Sequence, residues 1–147
     1  MVYRVSLVVV RLLFWLTARC QFKGRENVPR QGPLLVVSNH LSLADPALVA
    51  LGLGRGAAFL AKKQLFRYRL IGGLLRRLWT FPVRRGQMDR PALRWAYQTI
   101  SEGRALVMFP EGMRSRNRRL RPAFNGAALV ASRSGVPILP VGISGSE

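Results

Sequence analysis

His40 is the only histidine in the chain, and Asp45, five residues later, is one of just six acids. A turn of that length can bring a carboxylate to one imidazole nitrogen. The acid would then fix the tautomer and leave the other nitrogen free to take a proton from a hydroxyl, which is the work of a general base. A plainer reading makes Asp45 the N-cap of a helix that opens at Pro46, and His40 a turn residue. H-x4-D by itself does not separate the two. A serine hydrolase built on this pair would also need a nucleophile, and no G-x-S-x-G elbow occurs.

A second block runs Val107-Met108-Phe109-Pro110-Glu111-Gly112-Met113-Arg114-Ser115. An apolar strand ends in a turn where Gly112 permits close backbone approach and Arg114 offers a fork for phosphate. Glu111 could bond ligand hydroxyls or position Arg114. A third block, Phe81-Pro82-Val83-Arg84-Arg85-Gly86, again ends a strand in cations before a glycine. Behind the second block stand Arg116, Arg118, Arg119 and Arg121. Taken singly, these stretches also read as solvated basic turns. A fourth block, Val136-Pro137-Ile138-Leu139-Pro140-Val141, reads as an edge strand, because proline cannot donate to a ladder.

The elements that must position these residues follow from pattern. Leu34–Ser38, Ala57–Ala61, Thr80–Arg84, Ala105–Phe109 and Pro137–Ile143 read as strands. Helices are expected from Asp45 to Leu53, from Leu65 to Leu78 with an interruption at Gly72-Gly73, from an Asp89 cap to Ser101, and from Pro122 to Arg133. Gln21–Pro33, with Gly24, Pro29, Gly32 and Pro33, reads as a linker. Strands alternating with helices predict an α/β fold, a mixed and largely parallel sheet flanked by helices, with reactive residues at strand ends.

The chain has 147 residues, room for one domain, and 49% of them are hydrophobic, which excludes a disordered polyelectrolyte. With 24 Lys and Arg, the formal net charge is +18, so the natural partner is anionic. One cysteine and one histidine exclude disulfides within the chain, multi-Cys zinc patterns and His-rich metal sites. Residues 2–18 are apolar but carry Arg4 and Arg11, with Arg19 just beyond. The longest uncharged run there is Leu12 to Ala18, well short of the roughly 20 residues a span needs. At about 100° per residue the three arginines share a sector of roughly 80°. Residues 1–20 are therefore expected to form an amphipathic helix at a membrane interface, on the cytoplasmic face and peripheral or monotopic; a core helix with snorkelling arginines is the alternative. Residues 21–147 are expected to form the remaining domain. It stops directly after a strand that would want a covering helix, so a C-terminal part is expected to be missing.

Taken in order, Asn39-His40-x4-Asp45, Pro82-Val83-x-Arg85-Gly86, Phe109-Pro110-Glu111-Gly112-x-Arg114-Ser115 and Val136-Pro137-Ile138-x-Pro140-Val141 resemble the glycerolipid acyltransferases, the bacterial 1-acylglycerol-3-phosphate (lysophosphatidate) acyltransferases above all. Gly24-x-Glu26-Asn27-Val28-Pro29 and Lys63-x-Leu65-Phe66 agree with this. The resemblance spans about residues 24–145, and four ordered blocks are specific where each alone is not. It implies a single-step transfer in which His40, oriented by Asp45, deprotonates a lysophospholipid hydroxyl that attacks an acyl thioester. Arg85, Glu111, Gly112 and Arg114 would hold the acceptor's glycerol phosphate. Acyl-CoA or acyl-carrier protein would be co-substrate, with no metal and no further cofactor. Two positions depart from the family: Met113 where Thr is usual, and Asn125 where Lys commonly precedes Gly126. With the early end, these leave room for an inactive or differently specific lipid-surface binder. A nucleic-acid binder would explain +18 but not the His40–Asp45 pair, and no aromatics are interleaved with the basic loop for base stacking.

Overall fold

In a computed structural model of the chain, the structure describes Val8, Leu12, residues 19–84, Gly86 and residues 89–147. The expected interfacial helix over residues 1–20 lies almost wholly outside the described residues, as does Arg85. Val8 and Leu12 are helical and exposed. Among the described residues no helix is long and apolar enough to cross a membrane.

Among the described residues from Leu34 onward, five strands alternate with four helices: β1 Leu34–Ser38, α1 Asp45–Leu53, β2 Ala57–Lys62, α2 Arg69–Arg77, β3 Thr80–Val83, α3 Arg90–Ser101, β4 Ala105–Met108, α4 Gly126–Ser134 and β5 Ile138–Val141. The strands form one sheet in the order β3-β2-β4-β1-β5. Every pairing is parallel, with Val36 opposite Val107 and Leu139. The expected mixed sheet is thus wholly parallel. All carboxyl ends share one edge, and the residues that follow β1, β3 and β4 gather there. The two proline-bearing strands, β3 and β5, occupy the outer positions.

Both faces are covered, which is why the central strands are continuously apolar. Leu34, Val36, Ala57, Phe59, Ala105 and Val107 pack with Val49, Ala50 and Leu53 of α1. Leu35, Ala58 and Leu106 point the other way, to Ala96 and Ile100 of α3 and Val130 of α4. The alternation of side chains along a strand divides the sheet between these two cores.

Several elements differ from expectation. The segment after β2 is not one broken helix. A 3-10 turn over Lys63–Arg67 precedes α2, which runs straight through Gly72-Gly73. Gly72 is there for packing: a Cβ on it would lie 2.8 Å from the Phe66 carbonyl oxygen. Helix α4 begins at Gly126 rather than Pro122. Its approach is held outside helical geometry by bonds from the Arg121 N–H to Glu111 and from the Phe124 N–H to the Pro110 carbonyl. The expected linker is tied down by Arg25, which donates to the Gly52 carbonyl, and by Arg55, which donates to the carbonyls of Pro29 and Gly32.

Candidate functional site

β1 delivers His40 to the carboxyl edge of the sheet. The turn after it is fixed by Asp45, which is fully buried at the first position of α1. Asp45 is not the N-cap: Ala44 holds that position without a side-chain bond, and the carboxylate turns back along the chain. Its Oδ2 accepts the N–H groups of Leu41 at 2.6 Å and Ser42 at 2.7 Å and lies 2.8 Å from Nδ1 of His40. Its Oδ1 accepts the Ser146 hydroxyl at 2.6 Å. Burial alone would raise the Asp45 pKa. The hydrogen bonds from Ser146, the Ser42 N–H, His40 and the Leu41 N–H outweigh it and hold the carboxyl below its ordinary range. An ionised carboxylate only accepts, so Nδ1 carries a hydrogen, and in the neutral imidazole Nε2 then holds the lone pair.

His40 is itself held by its backbone and by one face of its ring. Its ring stacks on Phe109, with centroids 4.4 Å apart and planes inclined by 28°. Its N–H donates to Glu111 Oε1 at 3.2 Å, and its carbonyl accepts the Ser115 N–H at 2.7 Å. Glu111 is buried, and its Oε2 accepts the Arg121 N–H at 3.1 Å. Both Glu111 oxygens therefore hold backbone, binding the His40 turn to the basic loop.

Gly112 adopts a left-handed φ of +67°, and a Cβ there would lie 2.8 Å from the Phe124 ring. Arg114 is exposed between Gly112 and the buried Ser115. Arg84, the described neighbour of Arg85, donates its N–H to Asp89 Oδ2 at 2.7 Å. Asp89 also caps α3 through the Ala92 N–H, as the sequence predicts.

A cleft of about 400 Å³ opens beside His40, between the carboxyl ends of the strands and helices α3 and α4. Leu60, Val83, Leu93, Ala96, Met108 and Leu129 make most of it apolar. Arg84, Gly86, Gly112 and Asn125 also line it. So the structure brings together His40, Asp45, Glu111 and Gly112, with Gly112 on the cleft wall and Arg114 exposed nearby in sequence. Three contributors were not singled out from sequence: Ser146 on Asp45, Phe109 beneath the imidazole, and Asn39. The Asn39 side chain accepts the Ile143 N–H at 2.7 Å and donates to the Ile143 carbonyl at 2.8 Å. Asn39 and Phe109 sit inside the motif blocks and could have been found there. Ser146 carries no local signal.

The family model described as Acyltransferase matches residues 19–144. The chain belongs to the acyltransferase family. The chain is 32% identical over 133 residues to the chloroplastic 1-acyl-sn-glycerol-3-phosphate acyltransferase BAT2 of Brassica napus, covering 87% of the chain and 38% of that protein. It is 34% identical to the lyso-ornithine lipid O-acyltransferase of Pseudomonas aeruginosa, covering 89% of the chain and 52% of that protein. The crystal structure of the 1-acyl-sn-glycerophosphate acyltransferase PlsC from Thermotoga maritima superimposes with a TM-score of 0.77 at 30% identity, over 94% of this chain and 57% of that one. The chain thus spans 38% to 57% of the length of these relatives.

Proposed function

We propose that this acyltransferase moves a fatty acyl group from an acyl thioester, acyl-CoA or acyl-carrier protein, to the free hydroxyl of a lysophospholipid, with 1-acyl-sn-glycerol 3-phosphate as acceptor and phosphatidic acid as product. The observation that carries this reading is the Asp45-oriented His40 beside a mostly apolar cleft. Nε2 of His40 accepts the acceptor's hydroxyl proton as its oxygen attacks the thioester carbonyl. The tetrahedral intermediate expels the thiolate, which takes the proton back from the imidazolium, so base and acid are one residue. Asp45 stabilises the imidazolium in between. The apolar cleft suits a hydrocarbon chain, and the arginines after β3 and β4 suit a phosphate.

In this reading the protein works at an anionic membrane surface on the cytoplasmic side. The motive is Arg4, Arg11 and Arg19 on one sector of an otherwise apolar segment. Deleting residues 2–19 is expected to release most of the protein from acidic vesicles, whereas salt alone releases only part. Complete release by salt would sink this assignment.

The test of the reaction is acyl transfer to radiolabelled lysophosphatidate in vesicles, with acyl-CoA and acyl-carrier protein as donors. Phosphatidic acid formed by the parent protein and lost in His40→Ala supports the proposal; no transfer with either donor overturns it. A phosphate-free lysolipid is the second acceptor class. Asn125 on the cleft wall, where a lysine is usual, favours it. A preference for such a lipid in the same assay would select it.

A further inference from the structure

Helix α2 and the turn before it present to solvent what a folded core would normally cover. Leu70 is 89% exposed, Tyr68 64%, Leu74 50% and Ile71 47%. At about 100° per residue, Leu70, Leu74 and Ile71 span roughly 100° of one helix face. Arg77, Arg69 and Arg76 occupy the adjoining sector. All three are exposed, as are Lys62, Lys63 and Arg67 just before the helix. Arg76 lies over the Phe66 ring, 5.6 Å from its centroid, which keeps its charge on the flank of the apolar stripe. From Pro46 to Met88 the sequence contains nine cations and no acid.

We infer that α2 is a membrane-docking element of this chain, lying flat in the interface of a bilayer rich in anionic phospholipid. Leu70, Ile71, Leu74 and Tyr68 would enter the acyl boundary while the six cations meet headgroup phosphates. Two features together choose this occupant. An acidic protein or a nucleic acid would satisfy the cations but leave Leu70 in water. An uncharged apolar partner would cover the leucines but leave the cations unmatched. A short helix with an apolar face and a basic flank matches the chemistry of an anionic lipid interface. Position agrees: the chain leaves β2 at the carboxyl edge of the sheet, the edge that carries His40, so Leu65, Tyr68 and Leu70 begin there. The surface is separate from residues 2–19, and its occupancy is read without any acyl acceptor, so failure of one proposal is distinguishable from failure of the other.

Gly73 supplies the probe site, because a Cβ there meets nothing within 4 Å. Gly73→Cys in a Cys20→Ser background would carry an environment-sensitive fluorophore on the otherwise intact chain. With vesicles of phosphatidylcholine and phosphatidylglycerol, the emission is expected to shift to the blue and to be quenched by lipids brominated along their chains. Leu70→Glu with Leu74→Glu should weaken partitioning about tenfold or more while leaving the melting temperature unchanged. Arg76→Gln with Arg77→Gln should cost about fivefold per charge at low salt. Vesicle binding without any change at residue 73 would overturn the inference. So would a blue-shifted label in the absence of vesicles, whether it depends on protein concentration (a second copy on this face) or not (another segment of the chain covering it).

Discussion

The Ser146 hydroxyl reaches Oδ1 of Asp45 at 2.6 Å across 101 residues, occupying the carboxylate oxygen that faces away from His40. With Leu41, Ser42 and His40 on Oδ2, the carboxylate is satisfied at both ends and is 0% exposed.

Ser146→Ala should leave Oδ1 of a buried carboxylate without its donor. A hydrogen bond to a charged group is worth about 1.5–3 kcal/mol, so kcat is expected to fall about tenfold or more. Burial, the largest influence on Asp45, would then be opposed by fewer hydrogen bonds, and its pKa would rise. The acid limb of the pH–rate profile should therefore move to higher pH. Ser146→Thr, which keeps the hydroxyl, should restore both. A profile unchanged in Ser146→Ala would remove Ser146 from the site's electrostatics.

Because the Asp45 pKa is lowered on folding, the carboxyl group binds fewer protons on average in the native state than in the unfolded one near pH 4. Its contribution to stability is thus fully present above the unfolded value and is lost as pH falls through the lowered folded value. Acid unfolding followed by circular dichroism should show a shallower pH dependence in Asp45→Asn than in the parent. Equal slopes in the two proteins would mean that other carboxyl groups carry the acid transition.

His40→Ala should reduce transfer by about 10²–10⁴, the usual worth of a general base. The alanine leaves the His40 backbone bonds to Glu111 and Ser115 available, so the fold and lipid binding should persist. Near-normal turnover would end the proposed mechanism.

Glu111→Gln should lower kcat more than it raises KM for the acceptor, since both carboxylate oxygens accept backbone N–H groups, those of His40 and Arg121. An amide keeps one acceptor oxygen and presents an NH2 to the other donor. Glu111→Ala, which leaves two donors in a buried place, should destabilise the protein by about 1–3 kcal/mol per unsatisfied group. A pure KM effect in Glu111→Gln would place the side chain on the ligand instead.

Arg114 is exposed and free to reach a headgroup. Arg114→Ala should raise KM for a phosphate-bearing acceptor by about tenfold or more, and Arg85→Ala should do likewise, with little effect on a neutral monoacylglycerol. Equal effects on both acceptors would show that these arginines do not read phosphate.

The sheet was legible because its central strands, β1, β2 and β4, are short, apolar and largely buried, and because a helix signal separates each strand from the next. The His40–Asp45 pair was legible as a spacing but not as a geometry. A carboxylate just before a proline at a helix start looks the same whether it caps the helix or turns back to the preceding loop, and here it turns back. Gly72 was misread as a breaker, since sequence does not show that Phe66 would press its backbone against that position. Pro122 was misread as a helix start, because the bond that holds Arg121 to Glu111 joins residues ten apart. The Ser146 contact and the Asn39–Ile143 pairing span more than 100 residues and leave no periodicity to read.

The sheet order has a consequence for biosynthesis. Among the described strands, β1 emerges first yet pairs only with β4 and β5, while β2 and β3 can pair as soon as both are made. Asn39, which directly precedes His40, waits for Ile143, and Asp45 waits for Ser146. A ribosome-bound chain therefore holds the His40–Asp45 turn without these partners until residues 143 and 146 have been added. A stalled or clipped product ending before residue 138 would lack β5 and both of these contacts.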